Sequence, residues 1–172
     1  MTHDSHDVTV RFMTAADIAA VRSLELEIFS QPWSERVFRD ELEASDRIYL
    51  VAEVGGAITG YGGAMVVVED AHITTLAVDP GARRLRVATR LILEMVEGAL
   101  LMGARHLTLE VRMSNRGAQR LYGQFGLAPV GVRKHYYDDE DALIMWATDI
   151  DGADYADRLA SIRDALASGV AG

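Results

Sequence analysis

Four arginines, Arg83, Arg84, Arg86 and Arg90, fall within eight positions of a chain whose formal net charge is −9. They follow the apolar run Leu76-Ala77-Val78 and the breaker Asp79-Pro80-Gly81, and they precede Leu91, Ile92, Met95 and Val96, which recur at helical spacing. The cluster therefore lies at a strand–loop–helix junction. The first N–H groups of a helix lack intrahelical partners and sit at the positive end of its dipole. A pyrophosphate suits that position, and arginines add charge-assisted hydrogen bonds to it. The small side chain of Ala88 would let a ligand approach the backbone. The alternative is a solvated basic first turn, in which the cations oppose the dipole unless an anion offsets them.

Two further residues are of types that move protons. Glu110 lies between Leu109 and Val111, so in a strand it points to the face opposite theirs. A partly desolvated carboxylate there suits a general base; equally, it is a surface residue paired with Arg112 on the same face. Tyr122 supplies a phenol, whose other role is packing beside Phe125.

The elements that must position these residues are legible from periodicity and punctuation. Val8, Val10 and Phe12 alternate as a strand. Thr14 and Asp17 form an approximate capping box for a helix through Phe29. Pro32 breaks that helix, and Ser34 caps a second one carrying Val37, Phe38 and Leu42. Strands follow at 48–52 and 58–68, joined by Gly55-Gly56, and another runs from His72 to Val78. A helix spans roughly Leu85 to Met102 and stops at Gly103. A strand through Leu107, Leu109 and Val111 leads to a helix over Asn115–Phe125, with Asn115 as its N-cap and Gly126 ending it. Strands near Ala128–Tyr137 and Ala142–Thr148 close the unit around the acidic turn Asp138–Asp141. No internal repeat or linker divides the chain. It reads as residues 1–7, a flexible tail; 8–150, one α/β (α+β) domain; and 151–172, a C-terminal amphipathic helix and tail. In that helix Tyr155, Leu159, Ile162 and Leu166 form a narrow stripe. The stripe packs back on the domain, makes a homodimer contact or docks a partner.

Composition excludes several classes. The chain of 172 residues has no cysteine, which removes disulfides, a thiolate nucleophile and zinc–thiolate sites. His72, His106 and His135 show no metal-ligand spacing and carry no assigned chemistry, so no metal is expected. An acidic chain repels nucleic acid and favours amines and basic peptides. The polar start Met1–Asp7 and the lack of a long apolar run lead us to expect no signal peptide and no membrane-spanning helix, and a cytoplasmic location is expected.

The junction at Val78, Pro80, Arg83 and Ala88 resembles the acetyl-CoA motif of the GNAT acetyltransferase superfamily, Val-x-Pro-x-x-[Gln/Arg]-x-x-Gly-x-[Gly/Ala]. Arg86 stands at the usual glycine. If that position needs φ > 0, an arginine there carries a steric cost; but a helix N-terminus already aims its amides at a pyrophosphate, so the favoured expectation is Arg86 in helical geometry, adding a phosphate contact. Leu109-Glu110-Val111-Arg112-Met113-Ser114-Asn115 with Ala118, Leu121-Tyr122 and Phe125-Gly126-Leu127 resembles the signature of ribosomal-protein-alanine N-acetyltransferases. So do Phe29 with Pro32-Trp33-Ser34-Glu35, and Arg133-Lys134-His135-Tyr136-Tyr137 with Glu140-Asp141-Ala142-Leu143-Ile144-Met145. The resemblance runs from about Val8 to Ile150.

It implies a GNAT fold, a mixed sheet of about seven strands in the order β-α-α-β-β-β-α-β-α-β-β plus the extra C-terminal helix. It implies acetyl-CoA as co-substrate, held by Leu76, Ala77, Val78, Arg83, Arg84, Leu85, Arg86, Val87, Ala88 and Asn115. It casts Glu110 as base and Tyr122 as acid, and puts Trp33, Tyr136, Tyr137 and the acidic turn around the acceptor. The implied acceptor is a peptide N-terminus, the alanine of a small-subunit ribosomal protein. A lysine or small-molecule amine as acceptor, and a non-catalytic CoA-binding regulatory module, are the alternatives.

Overall fold

The computed structural model describes residues 7–169; the expected tail at 1–7 lies outside these apart from Asp7. The elements are β1 (Val8–Phe12), α1 (Ile18–Ile28), α2 (Glu35–Glu43), β2 (Arg47–Val54), β3 (Ala57–Val67), β4 (Asp70–Val78), α3 (Val87–Leu101), β5 (His106–Arg112), α4 (Arg116–Gln124), β6 (Ala128–Tyr137), β7 (Glu140–Ala147) and α5 (Ala153–Ser168). The strands form a seven-stranded mixed sheet in the order β1-β2-β3-β4-β5-β7-β6. This is the expected α/β architecture and element order.

The chain divides into two compact units, residues 7–64 with 75–95, and residues 65–74 with 96–169. In the first, Met13, Ile18, Val21, Leu24, Phe38, Tyr49, Val51, Tyr61 and Ala77 form a buried cluster. Inside it the Tyr61 hydroxyl donates to Glu25 Oε2 at 2.8 Å, and burial pushes the Glu25 carboxyl up from its ordinary value. The capping residues behave as their types predict. The Thr14 N–H donates to Asp17 Oδ2 at 2.8 Å, and the Val37 N–H donates to Ser34 Oγ at 3.3 Å. Gly55 and Gly56 both take positive φ, 60° and 80°, as a tight hairpin requires. A side chain at Gly60 would meet Ala77 O at 3.0 Å and Val87 Cγ1 at 2.9 Å, so glycine there lets β3 lie against β4 and the start of α3.

In the second unit β5 alternates strictly, burying Leu107, Leu109 and Val111. It pairs with β4 in parallel, Asp70 with His106 through His72 with Thr108, and with β7 antiparallel, placing Glu110 opposite Ile144. The amphipathic stripe of α5 packs back: Tyr155, Leu159 and Leu166 are buried. Phe12, at the end of β1, is 72% exposed. Two expectations shift. β4 begins two residues earlier, at Asp70. Only Asp138 and Asp139 form the acidic turn, since Glu140 and Asp141 already belong to β7.

Candidate functional site

In the first unit, β4 ends at Val78 and the chain enters a 3-10 turn over Pro80–Leu85. Asp79 caps that turn, its Oδ1 accepting from the Gly81 N–H at 2.9 Å. The α-helix begins only at Val87, two residues later than periodicity suggests. Between them Arg86 adopts φ 58°, ψ 35°, in the left-handed region. The expectation of a helical Arg86 is thus overturned: the position is a corner of the kind glycine favours, and an arginine there carries a steric cost of about 1–2 kcal/mol. The corner redirects the chain so that α3 starts afresh after it. Its first N–H groups, from Val87 onward, have no intrahelical acceptor. Val87 is buried, Arg84 exposed, and Leu85, Arg86 and Ala88 half-buried. The side chain of Arg83 lies outside the described part of the chain.

Two observations fit an anionic, extended ligand here. The Nε of Arg90 is buried, and none of the described residues pairs with it. Among the described residues the β4–β5 ladder runs only over 70–72 and 106–108. The backbone at Leu76, Ala77 and Val78 therefore lies beyond it, with peptide groups that an amide-bearing arm can pair with.

In the second unit Glu110 has 8% of its side chain exposed. Its Oε2 lies 2.6 Å from His72 Nε2, and its Oε1 lies 3.5 Å from Arg133 Nε. Sheet register explains both contacts. His72 stands beside Thr108, and Glu110 lies two residues further along β5, on the same face. Across β7, Gly131 and Glu110 both face Ile144, and Arg133 follows on β6. The pairing of Glu110 with Arg112 does not form. Instead Arg112 Nη1 bonds Asp139 Oδ1 at 2.6 Å and Glu140 Oε1 at 3.1 Å, and its guanidinium sits 4.1 Å from the Tyr137 ring centroid. Glu140 also accepts from Ser114 Oγ at 2.8 Å. The acidic hairpin is thereby tied to the turn that leads into α4. Spacing alone leaves His72 without chemistry. The signal was three-dimensional: a histidine on a strand becomes significant only once the parallel partner is known.

Asn115 caps α4, its Oδ1 accepting from the Ala118 N–H at 3.1 Å, so only its NH₂ group remains to donate to a ligand. Tyr122, on the same helix, is 9% exposed. Burial, with a smaller effect of Tyr137, pushes its phenol up to about 12. Tyr136 and Tyr137 stand edge to face at 5.1 Å. Both phenols are raised, chiefly by burial, and Glu110 contributes to each. The second unit therefore gathers Glu110, Tyr122, Tyr136 and Tyr137 with the unforeseen His72 and Arg133. Trp33 belongs to the first unit, where it packs on Phe38 at 5.4 Å, and its carbonyl accepts from Arg22 Nη1 at 2.6 Å. Among the described residues no His/Asp/Glu cluster could hold a metal ion, and no helix is long and apolar enough to cross a membrane.

A mixed sheet with this turn between β4 and α3 defines an acetyltransferase fold, and residues 18–127 match the Acetyltransferase (GNAT) family. The chain is 44% identical over 142 residues to a Bacillus subtilis protein named as a ribosomal protein bS18-alanine N-acetyltransferase, covering 81% of this chain and 94% of that one. It is 32% identical over 143 residues to the N-alpha-acetyltransferase RimI of Mycobacterium tuberculosis, covering 80% and 89%. Among solved structures, the ribosomal-protein-S18-alanine N-acetyltransferase from Escherichia coli matches with a TM-score of 0.75 at 27% identity, over 83% of this chain and 94% of that one. The chain belongs to the GNAT acetyltransferase family and is an N-acetyltransferase.

Proposed function

We propose that this protein transfers the acetyl group of acetyl-CoA to the N-terminal α-amine, alanine foremost, of a small-subunit ribosomal protein or a peptide like it. The observation that carries this is the buried Glu110 carboxylate held by His72 and Arg133 beside the Tyr136–Tyr137 pair. The names of the relatives support the α-amine and the alanine. We assign residues 8–150 to the acetyltransferase domain and 151–172 to an appended helix and tail, in a cytoplasmic enzyme.

Acetyl-CoA, when bound, supplies an acetyl thioester. Leu76, Ala77 and Val78 offer backbone groups to its pantetheine arm. The start of α3, with Arg83, Arg84, Leu85, Arg86, Val87 and Ala88, receives the pyrophosphate, and Asn115 adds a donor. Arg90, whose buried Nε lacks a partner among the described residues, adds charge to the same turn.

An α-ammonium has a pKa of about 7.7–8.0 and attacks only after losing a proton. Glu110 accepts that proton, directly or through one water. With Glu110 ionised, the His72 Nε2–H donates to Oε2 and leaves Oε1 to face the amine. Arg133 reaches Oε1 by a single contact at 3.5 Å, from a side chain that is itself 58% exposed. Its guanidinium can therefore turn out to solvent and give up that place to an ammonium. Tyr122 donates its proton at the departing thiolate, whose conjugate acid has a pKa of about 8.5. A phenol is protonated at neutral pH already at its ordinary value of about 10, and burial raises this one further. Trp33, Tyr136 and Tyr137 border the acceptor.

The test incubates the protein with acetyl-CoA and short peptides beginning Ala-Arg, alongside free lysine and small amines, and follows thiol release. Acetylation confined to the peptide α-amine is the expected result. No thiol release with acetyl-CoA still bound would refute catalysis, and preference for side-chain amines would refute the acceptor.

A further inference from the structure

α5 lies beyond the residues 18–127 matched to the family, yet it is fastened to the end of α4. The Tyr155 hydroxyl donates to the Phe125 carbonyl at 2.6 Å in a buried setting, and Arg158 Nη1 donates to the Gln124 carbonyl at 3.2 Å. Gly126, at φ +81°, turns the chain there; an added Cβ would meet Arg158 Nε at 3.2 Å and Tyr155 Cε2 at 3.3 Å. The turn is thus packed directly on α5. The last carbonyls of a helix have no intrahelical donor, and here α5 supplies donors to two carbonyls at that end. The need is acute because α4 has only nine residues, too few to hold helical geometry unaided. Tyr122 sits within this last turn. Its own carbonyl accepts from the Phe125 N–H at 3.0 Å and the Leu127 N–H at 3.3 Å, so a shift at Phe125 is passed to Tyr122.

We propose that Tyr155, seconded by Arg158, is a positioning residue for Tyr122, fixing through the Phe125 and Gln124 carbonyls the direction in which the phenol presents its proton. The inference rests on Tyr122 acting as the acid. α5 then has a task in the reaction without touching either substrate, and the C-terminal extension becomes part of the enzyme's working structure.

The test is steady-state kinetics of the full chain with acetyl-CoA and an Ala-Arg peptide, for Tyr155→Phe, Arg158→Gln, Tyr122→Phe and the two doubles with Tyr122→Phe. Circular dichroism reports the folded fraction. Tyr155→Phe should lower kcat about tenfold, a part of the roughly 10²–10⁴ that a proton-transfer group is worth. The KM for acetyl-CoA should change less than twofold. Arg158→Gln, on the exposed side of the contact, should act in the same sense at about threefold, and it decides the matter if Tyr155→Phe does not fold. Both losses should vanish when Tyr122 is already Phe, because residues acting through one group are not additive. Full loss in the Tyr122→Phe background, a loss on KM alone, or no loss would overturn the proposal while leaving the acid assignment intact. An unchanged kcat in Tyr122→Phe itself would overturn the acid assignment and this inference with it.

Discussion

The turn from Asp79 to Ala88 and the strand from His106 to Arg112 are built by different means. In the turn the backbone sets the geometry: a left-handed corner at Arg86 and the fresh start of α3 at Val87 fix where the amides point. On the strand, side chains from three segments of the sheet converge on one carboxylate: Glu110 from β5, His72 from β4 and Arg133 from β6. A backbone site is written in consecutive residues and tolerates changes of side chain. A convergent site is written in register and does not. Substitutions at Glu110, His72 and Tyr122 should therefore act on turnover, and substitutions at Arg86 on stability.

The largest effect belongs to Glu110→Gln, which keeps the shape and removes the proposed base. The peptide kcat/KM should fall roughly 10²–10⁴-fold, with the acetyl-CoA Kd from calorimetry unchanged. A weakened Kd would mean that Glu110 serves the cofactor side, and the contrast between the two regions would collapse. Tyr122→Phe should follow, at about 10² in kcat. Its pH dependence has a definite sign. The phenol is held up to about 12, so it keeps its proton until pH rises towards that value. No alkaline loss of kcat below about pH 11 should belong to it. The stability this shift contributes is whole below the ordinary tyrosine pKa of about 10 and is lost as pH rises to about 12. A phenolate difference titration of wild type against Tyr122→Phe, with one tyrosine missing only above pH 10, checks both. His72→Asn should cost about tenfold in kcat/KM, because it removes a charge-assisted hydrogen bond worth about 1.5–3 kcal/mol but leaves the proposed base in place. An effect as large as that of Glu110→Gln would make His72 itself the proton acceptor.

This contrast also accounts for what the sequence disclosed. The order of elements was legible because punctuation is local: Ser34 and Asn115 cap their helices, and Gly55-Gly56, Gly103 and Gly126 take the positive φ their turns need. The alternation of β5 placed Glu110 on the face opposite Leu109 and Val111, but left its burial open. Its partners were not legible, because a two-residue offset across a parallel ladder leaves no trace in one strand. Arg112, nearer in sequence and on the same face, was the obvious partner, but Asp139 and Glu140 hold it. The mis-assigned geometry of Arg86 has a different cause. Helical periodicity from Leu85 onward cannot tell a first turn from a corner preceding it. The glycine that the resembled motif has at this position pointed to a corner, but with arginine there the residues of this chain by themselves did not mark it.

Arg86 supplies the smallest and most discriminating prediction. In a left-handed corner an L side chain costs about 1–2 kcal/mol. Arg86→Gly removes that cost and returns about 0.5–1 kcal/mol through greater freedom of the unfolded chain. The net gain is about 0.5 kcal/mol, a rise in Tm of about 1–2 °C for a chain of this size. Arg86→Val, β-branched, should lose about 1 kcal/mol or more. Were the residue helical, the order would be Arg, Val, Gly, since arginine is the best helix former of the three and glycine is poorer than valine by about 0.5 kcal/mol. Thermal denaturation of the three proteins without ligand thus reads the backbone through the ranking Gly, Arg, Val. Repeating it with saturating acetyl-CoA reads the side chain. If the amides of α3 hold the pyrophosphate, the ligand-induced rise is the same for Gly as for Arg; if the guanidinium holds it, the rise shrinks in Arg86→Gly while the ligand-free ranking stands.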